Sequence, residues 1–275
     1  MKAARPDALP IAGGTDVMVE INFDRHRPTA FIDLTRIPEL SEWGSEDGLL
    51  RVGAGVTYTR LMDELGDRLP GLAKASRTVG SPQIRNRGTV GGNLGSASPA
   101  GDAHPPLLAS QATVELASVG GTRHVAARDF FIGPKRNAMR GDELIAAFLI
   151  PPANGPQQFS KVGTRNAMVI AVCSFALAID PQRRRIGTGI GSAAPTPVMA
   201  DAAERFLEGV LDEGGLWDQP VEVEASALAR FGELVAAAAR PIDDIRGTAA
   251  YRRLALAVMA RRSFVWAWNE YRGAA

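Results

Sequence analysis

Two glycine turns carry the residue types that could hold a phosphate. The first is Ala12-Gly13-Gly14-Thr15-Asp16, and the second is Gly88-Thr89-Val90-Gly91-Gly92-Asn93. Paired glycines let backbone approach a ligand closely, and successive N–H groups can then converge on an anion. The Thr15 hydroxyl could add a charge-assisted bond. Two such turns suit a pyrophosphate held from both sides, so a dinucleotide cofactor is the first expectation. Taken alone, the first turn reads more readily as a capped helix start with a flexible turn, and the second has an ordinary tight turn as its alternative. Other chemistry finds little support. His26, His104 and His124 are scattered without metal-ligand spacing, and no Gly-Lys-Ser/Thr phosphate loop is present. Gly187-Thr188-Gly189-Ile190-Gly191 imitates part of a dinucleotide fingerprint. Ser192 takes the final glycine position, however, and the flanking pattern is antiparallel, so a strand end is expected.

The surrounding elements must bring the turns together. Residues 9–12 read as a short strand entering the first turn, and Asp16 or Thr15 could cap a helix with Val17, Met18 and Ile21 as its apolar face. Residues 31–34 supply the next strand, giving a β-turn-α-β opening. Residues 49–55 form another strand and turn, with Thr57 the candidate N-cap of a helix over 58–65. The pattern breaks at Gly80-Ser81-Pro82, just before the second turn. Asp102 could cap a helix over 105–110, and residues 112–116, 123–126 and 144–150 alternate like strands. Pro151, Pro152 and Pro156 exclude helix and central strand and mark a linker. Past it, residues 158–165, 168–180 and 185–192 read as an antiparallel meander. Helices are expected over 201–208, 225–238 and 248–271, the last apolar at Leu254, Leu256, Val258, Met259, Phe264 and Trp268. Trp266 and Trp268 are expected to pack in a core or an interface.

Composition narrows the field further. The 275 residues are enough for two domains. The balance of 31 Lys plus Arg against 30 Asp plus Glu gives no electrostatic case for nucleic acid or a membrane surface. Arg183-Arg184-Arg185 reads as a solvated hairpin turn. Cys173 is the only cysteine; it can form no internal disulfide and cannot ligate an iron–sulfur cluster alone. The start of the chain lacks the apolar core of a signal peptide. Its longest apolar stretch is about 12 residues, against roughly 20 for a membrane span. A soluble, cytoplasmic protein is expected.

The residues then become specific. Ala12-Gly13-Gly14-Thr15-Asp16 resembles the first flavin loop of the FAD-binding subunits of molybdenum hydroxylases, the xanthine dehydrogenase and carbon monoxide dehydrogenase medium-chain family. The run Gln83-Ile84-Arg85-Asn86-Arg87-Gly88-Thr89-Val90-Gly91-Gly92-Asn93, with Ala97-Ser98-Pro99-Ala100-Gly101-Asp102, is similar to its second loop. Residues 52–57, 161–165, 191–197 and 246–253 look like further family segments, all in order along nearly the whole chain. The resemblance implies an α+β fold. A two-lobed FAD-binding domain of the vanillyl-alcohol-oxidase (PCMH) type would cover residues 1–151. A smaller domain, a three-stranded antiparallel sheet with helices, would cover 156–270. Relatives usually carry a further strand and helix before the first loop, so the first lobe is expected to be shortened here.

By the same resemblance, Ala12, Gly13, Gly14, Thr15 and Asp16 would line the FAD pyrophosphate through main-chain N–H groups. Thr89, Gly91, Gly92 and Asn93 would approach from the other side. Asp102 stands where relatives contact the adenosine side of the cofactor, although as a bare residue it serves equally as an N-cap. Ile145 and Lys161 align near the isoalloxazine ring, where a lysine beside the N1–C2 edge would stabilise an anionic reduced flavin. Read without the resemblance, Lys161 is an exposed strand lysine. Val79 stands where some relatives place an aromatic against the ring.

The resemblance also implies partners: a large molybdopterin-binding subunit that oxidises the substrate, and a small subunit with two [2Fe–2S] clusters. Electrons would reach this FAD singly and leave in pairs to NAD or another acceptor, with no side chain needed as acid or base. A hetero-oligomer is expected, with the C-terminal part available for docking. A xanthine dehydrogenase-like role is preferred over aldehyde, other N-heterocycle or carbon monoxide chemistry. Two readings remain beside it: a stand-alone flavin oxidase of the same fold, and a flavin-free assembly scaffold.

Overall fold

The computed structural model describes residues 2–25 and 27–274, so His26 lies outside the described residues. The chain opens with β1 (Leu9–Ile11), α1 (Val17–Asn22) and β2 (Phe31–Asp33), the two strands pairing in parallel. The expected β-turn-α-β forms, but its expected cap does not. Asp16 occupies the N-cap position in a helical conformation and makes no side-chain bond there. Nor is the face of Val17, Met18 and Ile21 buried: α1 buries no residue, because nothing among the described residues packs over it.

A second layer begins with the hairpin of β3 (Trp43–Glu46) and β4 (Leu49–Gly53), turned by Asp47 and Gly48 at positive φ. Five helices follow: α2 (Tyr58–Leu65), α3 (Pro70–Arg77), α4 (Pro82–Arg85), α5 (Val90–Ser96) and α6 (His104–Ala109). Three of them start on a side-chain cap. The hydroxyls of Thr57, Ser81 and Thr89 accept from the N–H groups of Arg60, Ile84 and Gly92. Then come the hairpin β5 (Thr113–Ser118) and β6 (Gly121–Ala126), the turn α7 (Ala127–Phe130), the small hairpin β7 (Phe131–Gly133) and β8 (Arg136–Asn137), and β9 (Leu144–Ile150). The last of these inserts between the two earlier hairpins, giving a five-stranded antiparallel sheet in the order β3-β4-β9-β5-β6. Leu50, Val52, Val114, Phe148 and Ile150 from the sheet meet Leu61, Leu65, Leu94 and Leu107 from the helices in one core.

After the proline segment, β10 (Gln157–Val162), β11 (Cys173–Asp180) and β12 (Arg185–Gly191) make the expected antiparallel meander. Residues 168–172, expected as strand, instead form an irregular loop with Met168 at φ 49°. Three helices complete the chain: α8 (Asp201–Glu213), α9 (Ala225–Ala238) and α10 (Ala249–Ala274).

The period of two along β11 and β12 decides what each face can touch. Cys173, Phe175, Leu177, Ile179, Ile186 and Ile190 point to a core with Leu207, Phe231, Leu256 and Phe264 from the three helices. The opposite face carries Ser174, Ala176 and Ala178, with Gly187, Gly189 and Gly191 beside them. These glycines lie, as expected, toward the end of a strand, β12, which closes at Gly191. They form a face without side chains onto which α6 lies directly: a Cβ at Gly187 would stand 1.9 Å from the Ala109 carbonyl oxygen, and one at Gly189 2.0 Å from that of Pro105. Along α10 the buried set is Arg252, Leu256, Met259, Ala260, Ser263, Phe264, Ala267 and Trp268, an i, i+3, i+4 stripe. Leu254 and Trp266 fall off that stripe and are exposed. Cys173 is buried, and desolvation pushes its thiol up to about 12, which leaves it inert.

Candidate cofactor site

The two glycine turns meet in space. Gly13 lies so close to the second turn that a Cβ on it would stand 1.9 Å from the Arg87 carbonyl oxygen. Gly14, at φ 74°, turns the chain left-handedly toward α1. Around this junction opens a cleft of about 830 Å³. Ala12, Gly13, Gly14, Thr15, Asp16, Thr89, Gly91, Gly92, Asn93, Asp102 and Ile145 all line it; Lys161 does not.

The first turn offers donors without acceptors. Among the described residues, the amides of Ala12, Gly13, Gly14, Thr15 and Asp16 donate to no backbone or side-chain oxygen. Successive amides left free beside a cleft form an anion-binding concavity. The second turn is more committed. The Thr89 hydroxyl already accepts the Gly92 N–H at 2.8 Å, so it caps α5. Gly91 is packed on β4's end, where a Cβ would meet the Ala54 carbonyl at 2.4 Å. Gly92 is exposed, and a Cβ there would meet only the Thr89 hydroxyl, at 3.2 Å. The Asn93 side-chain oxygen accepts the Ala103 N–H at 3.3 Å, tying the turn to the segment that leads into α6.

Asp102 and Lys161 come together. The N-cap of α6 is Ala103, not Asp102. The Asp102 Oδ2 instead accepts from the Lys161 ammonium at 2.5 Å and from the Thr78 hydroxyl at 3.2 Å. Lys161 also donates to the Thr78 carbonyl at 3.3 Å and is buried, not exposed. It therefore stands behind Asp102, with its charge already matched. The Asp102 Oδ1 is buried on the cleft wall without a partner among the described residues. Burial pushes this carboxyl up, against the opposing pull of Lys161 and Thr78. A buried acceptor left open in this way suits a ligand donor.

His104 braces the second turn from below. Its ring is buried, with Nε2 3.0 Å from the Asn93 carbonyl and Phe131 packed at 4.5 Å. Burial lowers its pKa to about 4, so the imidazole is neutral.

Several lining residues carry no signal in the two glycine turns. Tyr58, the first residue of α2, is buried on the cleft; burial and the carboxylates of Asp102 and Asp16 push its phenol up, so it stays protonated. Its place directly after the Thr57 cap was the available clue. Val79 and Gly80 line another part, and Met168, Val169 and Ile170 reach in from the loop between β10 and β11. Nothing local in that loop points to a cleft whose two glycine turns lie more than 70 residues earlier in the chain.

Comparisons with known proteins place the chain in a family. Residues 1–153 match the family described as the FAD binding domain in molybdopterin dehydrogenase. The chain belongs to the FAD-binding medium subunits of the xanthine dehydrogenase and carbon monoxide dehydrogenase family. Residues 158–267 match the CO dehydrogenase flavoprotein C-terminal domain. The nicotinate dehydrogenase FAD-subunit of Eubacterium barkeri is 38% identical over 63% of this chain and 61% of that subunit, so this match spans less than two thirds of the relative. The xanthine dehydrogenase FAD-binding subunit of Escherichia coli O157:H7 is 34% identical over 75% of this chain and 74% of that subunit. The structure of quinoline 2-oxidoreductase from Pseudomonas putida 86 superposes with a TM-score of 0.87 at 26% identity, covering 98% of this chain and 93% of that one. The expected fold class holds: an α+β FAD-binding domain, then a C-terminal domain built on a three-stranded antiparallel sheet.

Proposed function

We propose that this subunit holds FAD in the cleft between the glycine turns and relays electrons within a molybdenum hydroxylase. One observation carries the reading: the free amides of Ala12 to Asp16 face the second turn across a cleft of about 830 Å³. Those amides would hold the pyrophosphate, with Gly92 offering a surface that a side chain would obstruct. The open Asp102 Oδ1 would accept a hydrogen bond from a hydroxyl or N–H of the cofactor, and Lys161 would keep that carboxylate oriented. Ile145 and Met168, Val169 and Ile170 would form apolar wall and exclude water. Bound FAD supplies chemistry that links one-electron donors to two-electron acceptors. No side chain of this chain is assigned an acid or base step.

The molybdenum cofactor and the [2Fe–2S] clusters would reside on a large and a small partner subunit, making a hetero-oligomer, with NAD or another molecule as final acceptor. Substrate choice would lie on the large subunit. Relatives named for xanthine and nicotinate, and a structural neighbour named for quinoline, favour an N-heterocycle, and a xanthine dehydrogenase-like purine role remains our preference. Among the described residues, no helix is long and apolar enough to cross a membrane; a cytoplasmic complex is proposed on the single cysteine, Cys173, which suits a reducing compartment.

The test is the visible spectrum of the chain purified, gently tagged, from its native host. Flavin bands on a broad iron–sulfur envelope, with two co-purifying subunits, are the expected result. Flavin bands on a lone chain would support a free-standing oxidase instead. A colourless chain that takes up no added FAD would overturn the flavoprotein reading and leave an assembly scaffold.

A further inference from the structure

Residues 2–36 make one wall of the cleft, and little fastens that wall to the rest of the chain. Among these residues as described, only Ala8 and Ile32 are buried. Their hydrogen bonds and ion pairs, among the described residues, stay within residues 2–37 with one exception. The exception is the ion pair between the Lys135 ammonium and the Glu20 carboxylate.

The two partners sit on opposite sides of the cleft and both line it. Glu20 belongs to α1. Lys135 occupies the turn between β7 and β8 at φ 55°, and its own N–H donates to the Ala97 carbonyl at 3.0 Å, just past the end of α5. That turn is therefore anchored to the second glycine segment, whereas α1 carries the first. Apart from this pair, the backbone of Gly13 lies against that of Arg87 and Gly88. The free amides of Ala12 to Asp16 ride on the wall, so any outward swing withdraws them from whatever they hold.

We propose that Glu20 and Lys135 are positioning residues for the cofactor, their ion pair forming a clasp that keeps the wall of residues 2–36 closed over the bound dinucleotide. The proposal rests on the FAD reading above. A dinucleotide held at both turns leaves only when the wall moves out, so the clasp acts chiefly on the off-rate. The pair is half-exposed, which sets a modest scale and makes it sensitive to salt.

The test uses the full chain, with FAD as the probe, and the variants Glu20→Gln, Lys135→Met and the reversed pair Glu20→Lys with Lys135→Glu. The FAD off-rate is followed by recovery of flavin fluorescence, and amide exchange across α1 is measured without FAD. Each single variant should release FAD about two- to fivefold faster at low salt and exchange faster in α1. The reversed pair should restore both, and about 0.5 M salt should bring the wild-type off-rate up to that of the variants. Single variants that match the wild type in off-rate would overturn the clasp while leaving the FAD reading intact. Failure of the wild-type chain to bind FAD would overturn the cofactor reading itself, and the exchange rates alone would then show whether the pair fastens the wall.

Discussion

Among single residues, the glycines of the two turns do different jobs, and substitution should separate them. Gly13 has no room for a methyl group, so Gly13→Ala should force the turns apart. We expect a loss of about 1–3 kcal/mol in stability and at least a tenfold weaker hold on FAD, measured by thermal unfolding and titration. Gly92 sits near the start of α5, where a Cβ would meet only the Thr89 hydroxyl, at 3.2 Å, and a small shift of that side chain would admit it. Gly92→Ala should leave the apo chain as stable or up to about 1 kcal/mol more so, while still weakening FAD. His104 gives a pH signature. Its folded pKa of about 4 lies below the ordinary 6.5. Between those values the unfolded chain binds more protons, so its contribution is full above about 6.5 and is lost as pH falls toward 4. Its share is on the order of 3 kcal/mol. Unfolding of His104→Gln should show a flatter pH profile over that window; an unchanged profile would exclude the buried imidazole as its source. The glycine turns and Asp102 were legible in the sequence. The partner of Asp102 was not, since Lys161 lies 59 residues away and a local pattern sees only the cap.

Among the elements, α6 and the glycine face of β12 depend on each other. A helix can approach a sheet this closely only where the strand has no side chains, and Gly189 sits against the Pro105 carbonyl. Gly189→Ala should therefore cost more than about 2 kcal/mol and weaken FAD as well, because α6 follows directly on the segment that carries Asp102. Gly209→Ala on α8, where nothing lies within 4 Å, is the control and should stabilise by about 0.5–1 kcal/mol. Thermal unfolding with and without FAD checks both. The sequence reading placed β9, β12 and α9 within a residue or so, because their apolar periods are long and their ends are marked. The glycines of β12 do fall at a strand end as expected, but their packing role was not visible. Alternation shows which residues share a face, but what covers that face is a tertiary fact. The sequence reading overrated α1, whose apolar residues match a helix face but have nothing to pack against.

Over the whole molecule, the two parts are interlocked and should not behave as separable units. The face of β10 that carries Gln157 and Lys161 reaches back to the first part: the Gln157 side chain accepts the Gly71 N–H at 3.0 Å, and Lys161 holds Asp102. The Ser192 N–H donates to the Pro99 carbonyl at 2.8 Å, while the Ser192 carbonyl accepts from the buried Arg252 of α10 at the same distance. Calorimetry of the full chain should show one unfolding transition, and a fragment ending at residue 153 should fail to hold FAD. Two resolved transitions would contradict the interlock. Strand spacing and the proline segment showed a meander and helices following a linker, while the α+β plan came only with the family resemblance; the interlock was not legible, because its bonds join distant residues.

The order of the five-stranded sheet also dictates when the cleft can first exist. Its central strand, β9, is the last of the five to be synthesised, and it must enter between two hairpins already made. The β3–β4 and β5–β6 hairpins can form locally on the emerging chain, but each keeps an unpaired edge until residues 144–150 arrive. Ile145 on that strand lines the cleft. Assembly of the cofactor site is thus a long-range step that the chain can take only once it has grown past residue 150, and nascent chains stalled before that point should present open strand edges to chaperones instead of a place for FAD.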